Sequence, residues 1–324
     1  MSRSQRPRSA GTLTFNLALT LASAAVTIVA LEGGTRLLGL KGGFFLRPNV
    51  AQCEQRSALM TMEFIPDCDG KLGETPFHIN SLGLRSPELR EDDSIRILAI
   101  GDSCTWGWGV PDGEPYPAAL QRVLDARAAS PRFDVINAGI PGNTSYEGYL
   151  YLRERGLALH PGIVIVAYGF NDQLPSGDVE VQLARMKRWS PLLRLDDLLI
   201  DFSAFYRWAR WTGDQKYSWN GPARVAPEKY RHNLTQIVEL SRTHGSKVLL
   251  LTFGGLPGKE AARPADGQPY AEATQAVADE LALPVLAYDG PRLDIVHPTA
   301  EGYRKLAGEI ARKLEETGYI DRAR

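Results

Sequence analysis

From Ile95 onward, short and nearly continuous apolar runs alternate with longer amphipathic ones. Ile95 to Ile100, Phe133 to Ile136, Ile163 to Ala167, Lys247 to Phe253 and Pro284 to Tyr288 read as five strands. Tyr116 to Ala129, Ser145 to Leu159, Pro227 to His244, Gln268 to Leu283 and Ala300 to Thr317 read as helices. Their ends carry suitable signals: Pro227 for a first helical turn, Gly245 and Gly318 for C-terminal stops, and Thr299 with Glu301 for an N-terminal cap. Strands that alternate with helices of this length imply right-handed crossovers and a parallel sheet covered on both faces. The fold class is therefore α/β, a three-layer α/β/α sandwich around a five-stranded parallel sheet.

Ahead of this rhythm, Thr12 to Leu31 contains no charged residue, and Arg3, Arg6 and Arg8 precede it. A helix of that length spans the roughly 30 Å hydrocarbon core of a bilayer, and the arginines favour a cytoplasmic N-terminus with the rest exported. Two other readings stay open. A cleaved signal peptide has a shorter apolar region and a small-x-small site after it, whereas Ala22 to Ala24 falls inside the run; a buried core helix is the third reading, since Asn16 and several Thr and Ser dilute the hydropathy. The expected organisation is a basic cytoplasmic tail (1–11), a transmembrane signal-anchor helix (12–31), a linker and N-terminal extension packed on the main domain (32–94), and that main domain (95–324). A segment at about 174–226 interrupts the strand and helix alternation with Trp189, Tyr206, Arg207, Trp208, Trp211 and Trp219. It reads as a helical insertion, either a lid over the ligand edge of the sheet or simply aromatic packing.

Charge narrows the function classes. Lys and Arg total 37 against 38 Asp and Glu, so no global field draws the chain to nucleic acid. No His-Glu-x-x-His, Cys-x-x-Cys or phosphate-cradling Gly-x-x-x-x-Gly-Lys occurs, so neither a metal nor another cofactor is expected. Cys53 and Cys68 lie in a short irregular stretch beyond the apolar run; in an oxidising compartment they form either a disulfide or two unrelated thiols.

The first strand of the main domain runs into Gly101-Asp102-Ser103-Cys104-Thr105-Trp106-Gly107, which sets a serine at the carboxyl edge of the sheet. Alone this is three common turn residues or a helix cap. Asp294 stands three residues before His297, just ahead of the last helix, so its carboxylate can hold the imidazole Nδ1 while Nε2 serves as a base. His78, His160, His232 and His244 lack such a local partner and read as surface or cap residues. Asn137-Ala-Gly139-Ile-Pro-Gly142-Asn143 after the second strand and Gly169-Phe170-Asn171-Asp172 after the third offer backbone and amide donors for a developing oxyanion.

On these blocks the chain from about Ile79 to Thr317 resembles the SGNH/GDSL hydrolases. The resemblance implies a flavodoxin-like SGNH fold, Ser103 as nucleophile, Asp294 and His297 as its catalytic partners, and an oxyanion hole of Ser103, Gly142 and Asn171, with Gly142 rather than Gly139 as the second-block glycine. His78-Ile-Asn-Ser-Leu-Gly-Leu-Arg85 is similar to bacterial membrane-anchored members. Cys104-Thr105-Trp106-Gly107 departs from the Leu-Ser that follows Gly-Asp-Ser in many members, which leaves the substrate open; Cys104 reads as a small buried hydrophobe rather than a nucleophile. The implied protein is a serine ester hydrolase in a bacterial inner membrane, with its catalytic domain in the periplasm or outside the cell. Its substrate would be a small-molecule, lipid or glycan ester carrying a small acyl or acetyl group. The rivals are a polysaccharide O-acetyltransferase using the same triad and a noncatalytic glycan-binding module.

Overall fold

The computed structural model describes residues 10–40, 53–57, 59–127, 133–175, 177–188, 190–218, 222–253 and 268–321. The arginines at 3, 6 and 8, together with Trp189 and Trp219, lie outside the described residues. The first helix, α1 (Ala10–Leu37), contains a span at Thr14–Leu37 long and apolar enough to cross a membrane; its apolar residues from Phe15 to Leu31 are exposed, and Thr35 near its end is buried. Two small antiparallel pairs follow, β1 (Glu54–Gln55) with β2 (Glu63–Phe64) and β3 (Cys68–Leu72) with β4 (Thr75–Ile79). Cys53 and Cys68 are joined by a disulfide, their Cα atoms 5.6 Å apart.

The central sheet is built from β5 (Ile95–Gly101), β6 (Phe133–Gly139), β7 (Ile163–Ala167), β8 (Lys247–Thr252) and β9 (Val285–Ala287), in the order β6-β5-β7-β8-β9 and parallel throughout. The helices are α2 (Ser103–Trp106), α3 (Tyr116–Arg127), α4 (Ser145–Glu154), α5 (Val179–Arg188), α6 (Ser190–Phe202), α7 (Ala204–Ser218), α8 (Pro227–Thr243), α9 (Gln268–Glu280) and α10 (Ala300–Glu316).

Why the strands read as unbroken apolar runs is visible in their two faces, because successive side chains point to opposite sides of a pleated sheet. Leu98, Ile100, Val164, Val166, Val248 and Leu250 join one core with residues of α4, α8 and α9. Ile97, Ala99, Ile163, Ile165, Leu249 and Leu251 join the other with residues of α3 and α10. The three-layer arrangement follows directly from two apolar faces on one sheet.

One local expectation needs correction. The second strand extends to Gly139, so Asn137 and Gly139 lie within the ladder opposite Ala99 and Gly101 instead of in the turn after it. At the serine block the helix-cap reading is what the fold contains: Asp102 caps α2, accepting from the Cys104 amide at 2.9 Å, and Ser103 is the first residue of that helix.

The chain divides into two compact units. One holds α1, α6 and α7; the other holds the sheet, its flanking helices, α5 and the N-terminal extension. In the larger unit the extension packs through Cys53, Phe64, Phe77 and Ile79 around Trp106 of α2. The Trp106 ring lies 5.8 Å from that of Phe64 and 5.1 Å from that of Phe77. The Arg85 guanidinium sits 4.2 Å over the Trp106 ring and donates to the carbonyls of Gly107 and Val110, each at 2.8 Å, while its Nε pairs with Asp112.

The disulfide closes a loop with a sequence separation of 15 at the foot of this cluster. For a loop of that length the chain-entropy estimate is about 3 kcal/mol. Replacing both cysteines by serine is expected to lower unfolding stability by about that amount in a denaturant titration of the oxidised protein. An unchanged midpoint would mean that the bridge does not constrain this chain.

Candidate active site

Three strand ends deliver the chemistry to one edge. Gly101 is in register with Gly139 on one side and Ala167 on the other, so the segments that follow all emerge together where the strand order reverses. Gly139 lets α2 approach: a Cβ there would strike the backbone of Thr105 and Trp106. Its position is a packing requirement, which separates it from Gly142, where φ is +81° and a Cβ would meet nothing within 4 Å.

Ser103 is 8% exposed, and its Oγ lies 2.8 Å from His297 Nε2. On the far side of the ring, Nδ1 lies 2.7 Å from Asp294 Oδ2, while Asp294 Oδ1 accepts from the amides of Val296 and His297 at 2.8 and 2.9 Å. Burial opposes ionisation of Asp294, yet the bonds from the His297 ring and from the two amides hold its carboxyl below the ordinary aspartate range. A carboxylate fixed this way selects the tautomer with the proton on Nδ1 and leaves Nε2 to accept from serine. The Trp108 ring stacks on His297, centroids 5.8 Å apart and planes 25° from parallel, a face that also favours an imidazolium cation. Sequence reasoning passed over Trp108; its only signal was its place just after the serine block.

Cys104 turns the other way. It is buried, with Sγ donating to the Val296 carbonyl at 3.8 Å, while its neighbour reaches the imidazole.

Asn171 is buried at the same edge, and its Nδ2 donates to Asp102 Oδ2 at 3.2 Å and to the Asn143 carbonyl at 3.1 Å. Its orientation is thus set by two acceptors, one on the serine turn and one on the Gly142 turn. Burial, together with the nearby Asp172 charge, pushes the Asp102 carboxyl up to about 7. Asp172, raised to about 6 by burial, accepts from the Ser145 amide, the Ser145 hydroxyl and the Gly169 amide at 2.9, 2.6 and 3.1 Å. These bonds tie the Asn171 turn to the start of α4.

A second buried group holds the Gly142 turn. The Gly142 carbonyl accepts from Arg224 Nη1 at 2.6 Å, and Arg224 Nη2 lies 3.3 Å from Glu147 Oε2. The Glu147 side chain is fully buried, caps α4 reciprocally with Thr144, and accepts from the Thr61 amide and hydroxyl. Neither Arg224 nor Glu147 carried a motif; only the Thr144-x-x-Glu147 capping spacing was there to be read. His78, read as lacking a local partner, pairs with Asp69 at 2.8 Å across the β3–β4 hairpin, a contact that sequence spacing along a single strand does not display. Among the described residues no group of three or more His, Cys, Asp or Glu could hold a metal ion.

Residues 99–305 match the family described as GDSL-like Lipase/Acylhydrolase. An uncharacterized lipoprotein of Bacillus subtilis (strain 168), YqeF, is 26% identical over 159 residues, 48% of this chain and 47% of that protein, so the chain spans about half the length of the curated relative it matches. Solved structures with similar folds include the lipase/acylhydrolase from Enterococcus faecalis, at TM-score 0.45 and 19% identity over 69% of this chain and 96% of that one. The esterase EstA from Pseudoalteromonas sp. gives TM-score 0.46 and 16% identity over 71% of this chain and all of that one, with 100% covered.

Two outcomes test the supporting network. Arg224→Met strands a buried carboxylate, so a loss of about 3–5 kcal/mol in stability is expected by chemical denaturation, together with a fall in kcat; adding Glu147→Gln should restore part of the stability, and no restoration would mean that the pair is not coupled. For Asp102, the folded carboxyl keeps its proton to about pH 7 whereas an unfolded aspartate releases it near pH 4. The folded state therefore binds more protons in that window and loses stability as pH rises through it. Relative to Asp102→Asn, the native protein should decline in melting temperature between about pH 4 and pH 7; a constant difference would place the proton elsewhere.

Proposed function

Because the chain belongs to the GDSL-like lipase/acylhydrolase family, we propose that it is a membrane-anchored carboxylic ester hydrolase in which Ser103 attacks and His297 is the base. The observation that carries the reading is the unbroken line from Ser103 Oγ through His297 to Asp294, at 2.8 and 2.7 Å.

As Oγ attacks the ester carbonyl carbon, its proton passes to Nε2 and the carbonyl π electrons move onto oxygen. The backbone N–H groups of Ser103 and Gly142 and the Asn171 amide supply the oxyanion donors. Asn171 does this by giving one amide hydrogen to the oxyanion in place of the Asn143 carbonyl, while Asp102 retains the other. Collapse of the tetrahedral intermediate expels the alcohol, which takes the proton from His297. Water, deprotonated by the same imidazole, then attacks the acyl carbon; as the second tetrahedral intermediate collapses the carbon–Oγ bond breaks, the acid departs and His297 returns the proton to Ser103 Oγ.

The preferred substrate is a small acyl or acetyl ester outside the cytoplasm. The uncharged run of α1 supports attachment to a membrane by a single uncleaved span, with the hydrolase unit on the exported side.

With nitrophenyl acetate as substrate, Ser103→Ala is expected to abolish turnover above background, and retention of activity would remove it as nucleophile. Asn171→Ala should lower kcat by about 10²- to 10³-fold, the usual effect of losing one oxyanion donor; an unchanged kcat would take Asn171 out of the hole. Product analysis should find free acid. Acetyl recovered on an added oligosaccharide, with no free acid, would make the enzyme an O-acetyltransferase instead.

A further inference from the structure

The insertion helix α6 carries an exposed apolar surface. Along α6, Leu192, Leu195, Leu198 and Phe202 recur at spacings of three, three and four residues, and each is between 53% and 75% exposed. At 100° per residue they form one stripe about 120° wide. On the same helix Ile200 is buried, and Asp196 accepts from Tyr206 Oη at 2.6 Å and from Arg210 Nε at 3.3 Å on α7.

The depth of this stripe is set by α1. Its uncharged stretch from Ala10 to Leu31 rises roughly 33 Å at 1.5 Å per residue, close to the roughly 30 Å hydrocarbon thickness. Glu32, the first charge after it, therefore falls at the boundary between acyl chains and headgroups. Glu32 is also the residue that grips the insertion. Oε1 accepts from the Ala204 amide at 2.9 Å, and Oε2 accepts from the Ser203 hydroxyl and the Phe205 amide at 2.8 and 3.1 Å, capping the N-terminus of α7. One turn later on α1, Arg36 Nη2 donates to the carbonyl of Phe202, the last residue of α6, at 3.4 Å. The apolar stripe thus ends where the span leaves the hydrocarbon.

We infer that α6 is an in-plane membrane helix, with Leu192, Leu195, Leu198 and Phe202 immersed in the same bilayer that α1 crosses. The inference rests on the anchor reading of α1. Lipid is the occupant because the end of α6 is tied through Phe202 and Ser203 to Arg36 and Glu32, at the end of the exposed apolar span of α1, and because a helix that is apolar on one face and carries Asp196 on another suits the headgroup boundary. The span and α6 would then give the protein two contacts with one leaflet, tied together by Glu32.

The test uses the full chain in phosphatidylcholine–phosphatidylglycerol vesicles. In a Cys104→Ala background that keeps the disulfide, an environment-sensitive fluorophore is attached to Leu195→Cys and, separately, to Leu198→Cys. Leu21→Cys in α1 and Thr212→Cys on α7 serve as references, and ester hydrolysis is checked in each. Quenchers are lipids with a nitroxide high or deep on the acyl chain. Positions 195 and 198 should lose emission on the order of two-fold or more with the shallow quencher, position 21 with the deep one, and position 212 with neither. Quenching at 21 with none at 195 or 198 overturns the inference and leaves the anchor standing. No quenching at 21 removes the anchor reading, and the inference with it. Self-quenching at 195 that grows with protein per vesicle, without lipid quenching, would mean that a second copy covers the stripe, which also overturns it.

Discussion

The contact between Ser103 Oγ and His297 Nε2 joins residues 194 apart in sequence at 2.8 Å, and every other feature of the site is arranged so that this contact survives folding. Parallel strands make it possible, because each strand must end at the same edge before its helix carries the chain back. The ladder registers Gly101 with both Gly139 and Ala167, so the serine turn is flanked on either side by the turns that hold Gly142 and Asn171. His297 arrives from the segment before α10, and it is oriented locally by Asp294.

Holding these turns together is largely a matter of buried polar groups. Asn171 links the serine turn to the Gly142 turn, Asp172 links the Asn171 turn to α4, and Arg224 with Glu147 fixes the Gly142 carbonyl. Bonds of this kind are weak against water but strict once desolvated, because any one left unmade costs its full desolvation. The N-terminal extension contributes from the other side, where Phe64, Phe77 and Arg85 enclose Trp106 of the helix that begins with Ser103. It serves as a buttress of the Ser103 turn.

What the sequence disclosed was whatever has a local period or a local turn. The five strands were legible because both faces are buried, leaving unbroken apolar runs, and Asp294 with His297 was legible because three residues separate the carboxylate from the imidazole it meets. Ends and long-range partners were less so. Asn137 and Gly139 look like turn residues by type, yet pairing with Ala99 and Gly101 keeps them in the sheet. Arg224 sits 82 residues from Gly142, and Asp69 meets His78 only through hairpin register, so neither pair leaves a mark in spacing. Trp108 was hidden by ambiguity of kind, since an aromatic beside a glycine-rich turn is as readily core as site. The stripe on α6 has helical periodicity, but its period alone does not distinguish a face turned inward from one turned outward.

Function at this site turns on activation of the Ser103 hydroxyl by the His297 imidazole. That activation is tested most directly by treating the folded full-length protein with a fluorophosphonate and mapping the adduct by mass spectrometry, alongside a His297→Gln variant. Stoichiometric phosphonylation confined to Ser103 is expected, with near-complete loss in the variant. Equal labelling of the variant, or an adduct on any other side chain, would contradict it.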